Sequence, residues 1–267
     1  MILTTKKISE AYWKVIINNP PINLFGPSFS RELMSLMDEF ESNEALKVVV
    51  FESENPDFFI AHLDIINAGD FPTGEGKTGL SRAWPDLAKR FEQAPFVSIA
   101  SIRGRARGLG SEFIQAMDMR FASKEKAVFG QPEIGIGAFP GGGGMERLHL
   151  LTGKARALEI LLSGDDYDAE TAAAYGWINR AFQDDELDVF VDALANRIAS
   201  FDKSIIATIK SIINERAILP KNEHIMDTQT KFYEALAKPE AGIRIKKLMG
   251  KGLQQNGDVE LNLGKHL

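Results

Sequence analysis

The chain has 267 residues, of which 44% are hydrophobic and 25% charged, with a formal net charge of −6 and no cysteine. The acidic balance disfavours a nucleic-acid partner, which normally requires a basic face, and the missing cysteines exclude disulfides and thiolate chemistry. We expect a cytoplasmic protein without a metal site, because no apolar run is long enough to cross a membrane and the four histidines lack metal-ligand spacing.

The N-terminal part predicts strands and one amphipathic helix. Residues 58–65 form a short apolar segment that contains His62 and Asp64. Residues 67–81 are dense in Gly, Pro and small polar residues, which is typical of a mobile loop over a site and equally of a plain surface loop. By alternation and helical spacing, the earlier elements are strands at 2–8, 11–18 and 47–52 and a helix at 28–42.

Residues 101–118 form the stretch around which the chain is organised. A buried strand at 96–102 runs through a turn containing Gly104 and Gly108 into a helix whose first turn carries Glu112. The free N–H groups and the dipole of a helix N-terminus bind negative oxygen. Neither GxGxxG nor a P-loop occurs, so a phosphate site is weakly supported, and a thioester oxygen that becomes negative during reaction is the other possibility.

The remainder begins with short strands and becomes helical. A second glycine-rich stretch covers residues 130–144 and leads into a helix. Mixed strands and helices followed by helices alone predict the α/β class with a helical tail. The expected elements are strands at 119–123, 127–129 and 177–180, helices at 153–162, 169–175, 224–236 and 240–248, and two helices within 185–213.

The glycine-rich turns occur together with other short motifs in a fixed order. PPIN, FFIAHLD, RGRARGLGSEF, FGQPEIGIG and PGGGGMERL follow one another at spacings that resemble the crotonase superfamily, the enoyl-CoA hydratases and isomerases, over about residues 1–215. The resemblance implies a spiral of ββα units at 1–200 that holds an acyl-CoA site. It also implies a helical region at 201–267 that builds a homotrimer or a dimer of trimers, and no cofactor beyond the CoA of the substrate.

The resemblance also implies the residues of the site. Matched position by position, the backbone N–H groups of Leu63 and Leu109 hold the thioester oxygen, and Glu112 and Glu133 are the catalytic acid and base. Ordinary roles compete, since a helix dipole favours any glutamate in a first turn and a loop glutamate is usually a surface residue. The residues expected beside the substrate are Ala61, His62, Gly108 and Gly141.

Two positions depart from the usual family pattern. FIAHLD replaces the common FxAGAD, and Leu109 replaces the central glycine of GGG. Leucine costs little as a first-turn helical residue, although its side chain narrows the acyl pocket. His62 can bond the thioester, a carboxylate or a CoA phosphate, or it is a structural histidine bonded to backbone.

Three further expectations concern charge. A helix N-terminus lowers a carboxylate pKa, so an apolar pocket must offset the dipole if Glu112 is to act as an acid. Arg103, Arg105 and Arg107 alternate and are expected in salt bridges, with CoA phosphates as the other partner. The lysines of the tail form a solvated face or contact CoA across a subunit boundary: Lys246, Lys247 and Lys251.

Two glutamates favour hydration of a 2-enoyl-CoA, because double-bond isomerisation can proceed with one base. The same scaffold also supports isomerase, decarboxylase and thioester hydrolase chemistry, since a fold does not determine its reaction. A family member that has lost catalysis and binds or assembles is the competing class, and Leu109 and His62 keep it open. A nucleic-acid-binding role is the third and weakest alternative, because of the acidic pI.

Overall fold

The computed structural model describes residues 1–71, 83–217 and 219–267. The predicted loop at 67–81 lies outside the described residues from position 72 onward. The strands are β1 Leu3–Lys7, β2 Tyr12–Ile17, β3 Val48–Ser53, β4 Phe58–Ile60, β5 Val97–Ile102, β6 Arg105–Arg107, β7 Met119–Ser123, β8 Val128–Gly130, β9 Asp166–Asp168 and β10 Arg180–Phe182. The helices are α1 Pro27–Ser42, α2 Ala83–Gln93, α3 Leu109–Gln115, α4 Gly144–Thr152, α5 Lys154–Ser163, α6 Ala169–Tyr175, α7 Asp184–Ala199, α8 Lys203–Arg216, α9 Asn222–Leu236, α10 Pro239–Lys251 and α11 Asp258–Leu261.

The strands form a large and a small sheet. The large sheet has the order β1-β2-β3-β5-β7-β10, antiparallel between β1 and β2 and parallel elsewhere. The small sheet has the order β4-β6-β8-β9, parallel except between β8 and β9. Consecutive strands are divided between them, since β3, β5 and β7 join the large sheet and β4, β6 and β8 join the small one. The helices α2, α3 and α4 then complete three ββα units, so the α/β class predicted from the sequence is confirmed.

Alternating side chains of the large sheet pack into two separate hydrophobic cores. Val49 and Phe51 belong to the core that contains α1, α2 and α3. Val48 and Val50 belong to the core on which α7 packs. Because both faces of a central parallel strand are buried, β3 is nearly continuously apolar instead of alternating with polar residues.

The helical tail is only partly covered by the rest of the chain. Predicted helices in this part are confirmed, with ends that differ by a few residues. On α8, Ile206 is buried, whereas Ile205, Ile209 and Ile213 are more than half exposed. Among the described residues, no helix has the length and apolar character that crossing a bilayer requires.

One predicted strand is wrong, and several short elements were not predicted. The strand expected at 177–180 lies instead at Arg180–Phe182. Trp177 is buried in the turn after α6, where its backbone N–H donates to the carbonyl of Ala172. The pattern of apolar residues did not distinguish a buried turn from a strand. The strands β6 and β9 and the helix α11 have three or four residues each, which is too short for a periodic signal.

Candidate active site

The predicted site residues follow the carboxyl ends of parallel strands in the small sheet. Leu63 comes three residues after β4, Leu109 two residues after β6, and Glu133 three residues after β8. Since β4, β6 and β8 are neighbours in that order, the three loops meet at one sheet edge. Positions 70 residues apart in sequence thus line a single cavity.

Glu112 is held by a helix that is buried along its whole length. Every residue of α3 is buried, and the ring of Phe113 packs against aromatic side chains from several elements. These neighbours are Phe25, Phe29, Phe51, Phe59, Trp84 and Phe91. Edge and tilted contacts of this kind contribute about 0.5–1.5 kcal/mol each beyond simple burial. Phe113 therefore fixes the position of the adjacent carboxyl group.

The carboxyl group of Glu112 accepts two backbone hydrogen bonds. The N–H groups of Gly142 and Gly144 both donate to Oε1 at 2.8 Å. Burial raises the pKa of Glu112 to about 7, although the amides of Gly144 and Gly142 oppose the shift by stabilising the carboxylate. The pKa of Glu112 is thus raised although the residue lies in the first turn of a helix.

Glu133 lies in a short 3₁₀ turn, Pro132–Ile136, across the cavity. Its Oε2 is buried and has no hydrogen-bond partner among the described residues. Burial, followed by repulsion from Glu112, raises the pKa of Glu133 to about 8. Two carboxyl groups that share one apolar space thus differ in the backbone donors that stabilise their charge, and Glu112 ionises first.

Two backbone N–H groups beside the carboxyl groups are not used by the fold. Leu63 pairs with Phe25 in an isolated bridge, and Leu109 is the first residue of α3. Within the described part of the chain, neither N–H donates a hydrogen bond. Gly108 has a φ of 49°, but Leu109 is not among the described non-glycine residues with positive φ. The prediction that Leu109 is an ordinary helical residue is confirmed.

The cavity between these groups is apolar apart from a few side chains. It has a volume of about 130 Å³. Trp84 closes part of its wall, because the indole N–H donates to the carbonyl of Gly142 at 2.9 Å. A side chain at Gly141 would place its Cβ 2.6 Å from the ring of Phe232. Glycine at 141 therefore allows the backbone to approach α9 closely.

The four residues expected beside a substrate are not all placed in the cavity wall. His62, Gly108 and Gly141 line the cavity together with Leu63, Leu109 and both glutamates. Ala61 lies instead in a small buried cluster with Ile22 and Phe58. An ideal Cβ on Gly108 would lie 3.0 Å from Oε1 of Glu133, so the absence of a side chain leaves room for that carboxyl group.

His62 is buried, and both its ring nitrogens have partners. Nδ1 lies 2.8 Å from the carbonyl oxygen of Leu63, and Nε2 lies 2.9 Å from Oε1 of Glu260. Two of the interpretations of His62 therefore apply at once, because the ring bonds both a carboxylate and a backbone carbonyl. Burial opposes the charge of His62, but Glu260 and the Leu63 carbonyl outweigh it and raise the pKa above 6.5.

The three alternating arginines are engaged within the chain. Arg103 pairs with Asp184 and Asp188, and Arg105 donates to the carbonyls of Leu261 and Asp57. Arg107 has no exposed surface, and its guanidinium forms two 2.6 Å hydrogen bonds with the carboxylate of Asp166. Among the described residues, no group of three or more His, Asp or Glu is arranged to hold a metal ion.

Comparisons with known proteins agree with this architecture. A sequence model of the family described as enoyl-CoA hydratase/isomerase matches residues 7–252. A solved structure from Streptomyces avermitilis, named provisionally as an enoyl-CoA hydratase, has a TM-score of 0.94 at 37% identity and covers 99% of this chain and 95% of that one. A Bacillus subtilis (strain 168) protein named probable enoyl-CoA hydratase is 28% identical over 226 residues, 84% of this chain and 87% of that protein.

A longer relative shares part of the sequence. The alpha subunit of a fatty acid oxidation complex from Aliivibrio fischeri (strain ATCC 700601 / ES114) is 32% identical over 178 residues, 66% of this chain and 26% of that subunit. The match therefore spans about a quarter of its length. The divided ββα units and the cavity at their strand ends define a fold of the crotonase superfamily. The chain belongs to the enoyl-CoA hydratase/isomerase family.

Some parts of the site carried no signal in the sequence. Glu260, which pairs with His62, is 198 residues away and lies in a four-residue helix. Trp84 stands in a segment whose spacing predicts a helix at 84–91, and this pattern does not place its indole at a site. The PGGGG stretch by itself is consistent with a close backbone approach to the acyl end or with a tight entry to the helix, whereas in the structure two of its amides hold Glu112. A run of glycines before a helix could suggest free N–H groups, but not which carboxylate they bind.

Proposed function

We propose that the protein hydrates a 2-enoyl-CoA thioester. The observation that carries the proposal is the pair of buried carboxyl groups in one cavity, Glu112 with a pKa of about 7 and Glu133 with a pKa of about 8. Near neutral pH such a pair holds one proton, so it supplies an ionised base and a protonated acid together. The proposed reaction needs no cofactor beyond the CoA of the substrate.

The proposed oxyanion hole is formed by the backbone N–H groups of Leu63 and Leu109. Both residues line the cavity, and neither N–H has an acceptor in the described part of the chain. A thioester oxygen placed between them would accept two hydrogen bonds that strengthen as negative charge develops. Donors of this kind stabilise an enolate-like transition state because they are oriented before the reaction begins.

The proposed proton transfers follow from the surroundings of the two glutamates. Glu112, whose charge is stabilised by two amides, takes a proton from water as the water oxygen bonds to the β-carbon. The electron pair of the double bond moves through the α-carbon to the thioester oxygen. Glu133 then gives its proton to the α-carbon, which completes the 3-hydroxyacyl-CoA. The proton gained by Glu112 returns to Glu133 through water, and both groups regain their starting states.

The test is loss of enoyl absorbance when the purified protein is mixed with crotonyl-CoA and with a longer 2-enoyl-CoA. We expect turnover by the wild type and a decrease in kcat of about 100-fold or more for Glu112→Gln and for Glu133→Gln, as removal of an acid–base group predicts. A wild type that binds these thioesters without hydrating them would overturn the proposal in favour of another reaction. A wild type that does not bind them would favour a non-catalytic role.

We also propose that residues 201–267 assemble the chain into a homotrimer. Support comes from an apolar groove of about 740 Å³ whose lining includes Ile206, Ile209 and Ile213 of α8. On α8, Ile205, Ile209 and Ile213 are more than half exposed, and a row of exposed isoleucines beside a groove is typical of an interaction site. Light scattering should give three times the chain mass. Ile209→Glu combined with Ile213→Glu should give the monomer, whereas Val189→Glu, which replaces an exposed apolar residue of α7 outside both the groove and residues 201–267, should not.

A further inference from the structure

His62 links the loop after β4 to the chain's C-terminal part. Oε1 of Glu260 accepts the Nε2 contact of His62 at 2.9 Å and a hydrogen bond from the backbone N–H of Gln254 at 2.6 Å. The side-chain Nε2 of Gln254 lies 3.5 Å from the Leu63 carbonyl, and its Oε1 accepts from the N–H of Ile66. We call residues 252–263 the C-terminal strap. It is bonded to residues 62–66 at both of its ends.

The partners of His62 determine its protonation. A carbonyl oxygen only accepts, so Nδ1 must carry a hydrogen to bond Leu63. Oε1 of Glu260 already accepts from Gln254, which favours its carboxylate form, so Nε2 must also donate. His62 is then an imidazolium with both N–H groups used. In a neutral ring with the hydrogen on Nδ1, the lone pair of Nε2 would face a lone pair of the Glu260 carboxylate.

The bonds around Leu63 determine where its N–H points. The carbonyl of His62 accepts from the N–H of Phe25, and in a trans peptide the next N–H points the opposite way, away from Phe25. The following peptide is held on both sides, because the N–H of Asp64 donates to Phe25 and the carbonyl of Leu63 accepts from His62. The ring of His62 therefore restrains the rotation that would turn the Leu63 N–H out of the cavity.

The strap also supplies part of the cavity wall. Leu253 and Leu263 line the cavity beside Leu63. Arg107 anchors the strap from the small sheet, because Nη1 donates to the carbonyl of Glu260 at 2.6 Å. We call residues 62–66, which carry the Leu63 N–H, the donor loop. If the contact between His62 and Glu260 opened, the donor loop and the two leucines of the strap would loosen together.

We propose that His62 and Glu260 form a charged latch that orients the Leu63 N–H and holds the C-terminal strap across the acyl cavity. Both are positioning residues, since they act through Leu63 and the strap. The proposal deepens the proposed hydration and rests on it for its kinetic consequence. The latch itself concerns geometry and is testable without turnover.

The charged groups around the latch come from four elements. Glu260 lies on α11, Arg107 on β6, and Asp166 on β9 pairs with Arg107. Glu133, in the turn after β8, faces the side chain of His62 across Gly108. The pKa of His62 is raised and that of Glu260 is lowered, so both groups are charged between these two pKa values. The latch opens as the pH rises through the pKa of His62 and also as it falls through the pKa of Glu260.

The first experiment uses the full chain with His62→Gln, Glu260→Gln and the double variant. We expect each single variant to lower kcat for crotonyl-CoA hydration about tenfold, as displacement of a donor loop predicts. Amide hydrogen exchange should accelerate in residues 63–66 and in the strap for either variant. The double variant should be no worse than the more damaging single variant, because both remove one contact. Thermal melts establish that the variants are folded.

The matched control is a second His–carboxylate pair near the same chain end. Nε2 of His266 lies 2.9 Å from Oδ2 of Asp258, and Asp258 is largely exposed. His266→Gln, which removes this contact from outside the strap, should change kcat and exchange by less than about twofold, as expected for a surface pair. Three results would each overturn the latch. The latch and control variants could have equal effects, the effects of the two latch substitutions could add, or amide exchange could stay unchanged in the latch variants.

A second measurement needs no substitution. In ¹⁵N-labelled wild type, the ring nitrogens of His62 should titrate with a midpoint above pH 6.5 and both show the shifts of a protonated imidazolium below it, whereas a ring that is neutral at pH 6 would overturn the latch. If the wild type hydrates no enoyl-CoA but the ring is charged and the variants loosen both segments, the latch stands and the proposed function fails. If the wild type hydrates the enoyl-CoA but the latch variants retain full kcat and wild-type exchange, the proposed function stands and the latch fails.

Discussion

The large and small sheets of this protein differ in what lies around their strands. The large sheet is enclosed by two apolar cores, and its central strands are buried on both faces. The parallel strands of the small sheet have three residues each, and they lead into the loops that carry Leu63, Leu109 and Glu133. Long apolar strands provide burial, whereas short strands bring chain segments together at their ends. The large sheet therefore supplies most of the buried apolar strands, and the small sheet positions the proposed active site.

The sharpest test of this division uses one buried ion pair from each region. Arg107 pairs with Asp166 at the small sheet, and Lys210 of α8 pairs with Asp118 beside the large sheet. Arg107→Met and Lys210→Met should each lower the free energy of unfolding by about 3 kcal/mol, because a carboxylate loses its partner. Arg107→Met should also lower kcat for hydration, because its strap contact is lost.

Denaturant unfolding gives the first quantity, and initial rates on the folded fraction give the second. If Lys210→Met lowered kcat as much as Arg107→Met, the proposed division between the sheets would be wrong.

The next effect concerns the pH dependence of stability. Burial raises the pKa of Glu112. The stability that the protonated side chain contributes is therefore complete below about pH 4.5 and is lost as the pH rises through about 7. Relative to Glu112→Gln, the wild type should lose about 3 kcal/mol of unfolding free energy between these limits, an order-of-magnitude value from the shift.

For Asp184 of α7 we expect stability to change with pH in the opposite direction. Burial acts against its charge, but Lys126 and Arg103 hold the pKa of Asp184 to about 2. Its contribution is therefore present above about pH 4 and is lost as the pH falls through about 2, by about 1 kcal/mol after discounting for its partial exposure. Denaturant unfolding of Asp184→Asn and Glu112→Gln across the pH range should give slopes of opposite sign. Equal signs would refute the assigned shifts.

The smallest expected effect separates two phenylalanines that contact the same ring. Phe51 of β3 and Phe59 of β4 are both fully buried and pack on Phe113. Substitution by leucine should lower the free energy of unfolding by about 1 kcal/mol at either site. Phe59→Leu should also raise KM or lower kcat, because β4 leads directly into the donor loop, whereas Phe51→Leu should leave both unchanged. Thermal melts and initial rates with crotonyl-CoA decide the outcome.

Sequence patterns predicted the fold where segments were long and periodic. The strand at β5, the glycine turn, the helix with Glu112 and the later helices were predicted near their observed positions. Residues Leu109 and Glu133 were placed by motif order, and the structure brings them to one cavity. Local signals sufficed because each motif sits at the end of one element.

Contacts between distant segments could not be predicted from the sequence. Nothing in FIAHLD indicates that His62 meets Glu260, because the two are joined only through the packing of the whole chain. The two amides that hold Glu112 belong to a glycine run whose partner depends on how α4 docks beside α3. Strand β6 was missed because Arg105 and Arg107, with their charges, conceal a three-residue strand.

The separation of His62 from Glu260 by 198 residues has a consequence during protein synthesis. Ribosomes add about 5–20 residues per second, so roughly 10–40 s pass between the appearance of the two residues. For that time the loop that carries Leu63 has no carboxylate partner, and its histidine is free to lose its proton. All the described strands precede residue 260, so the contact between His62 and Glu260 forms only after the segments of both sheets have been synthesised.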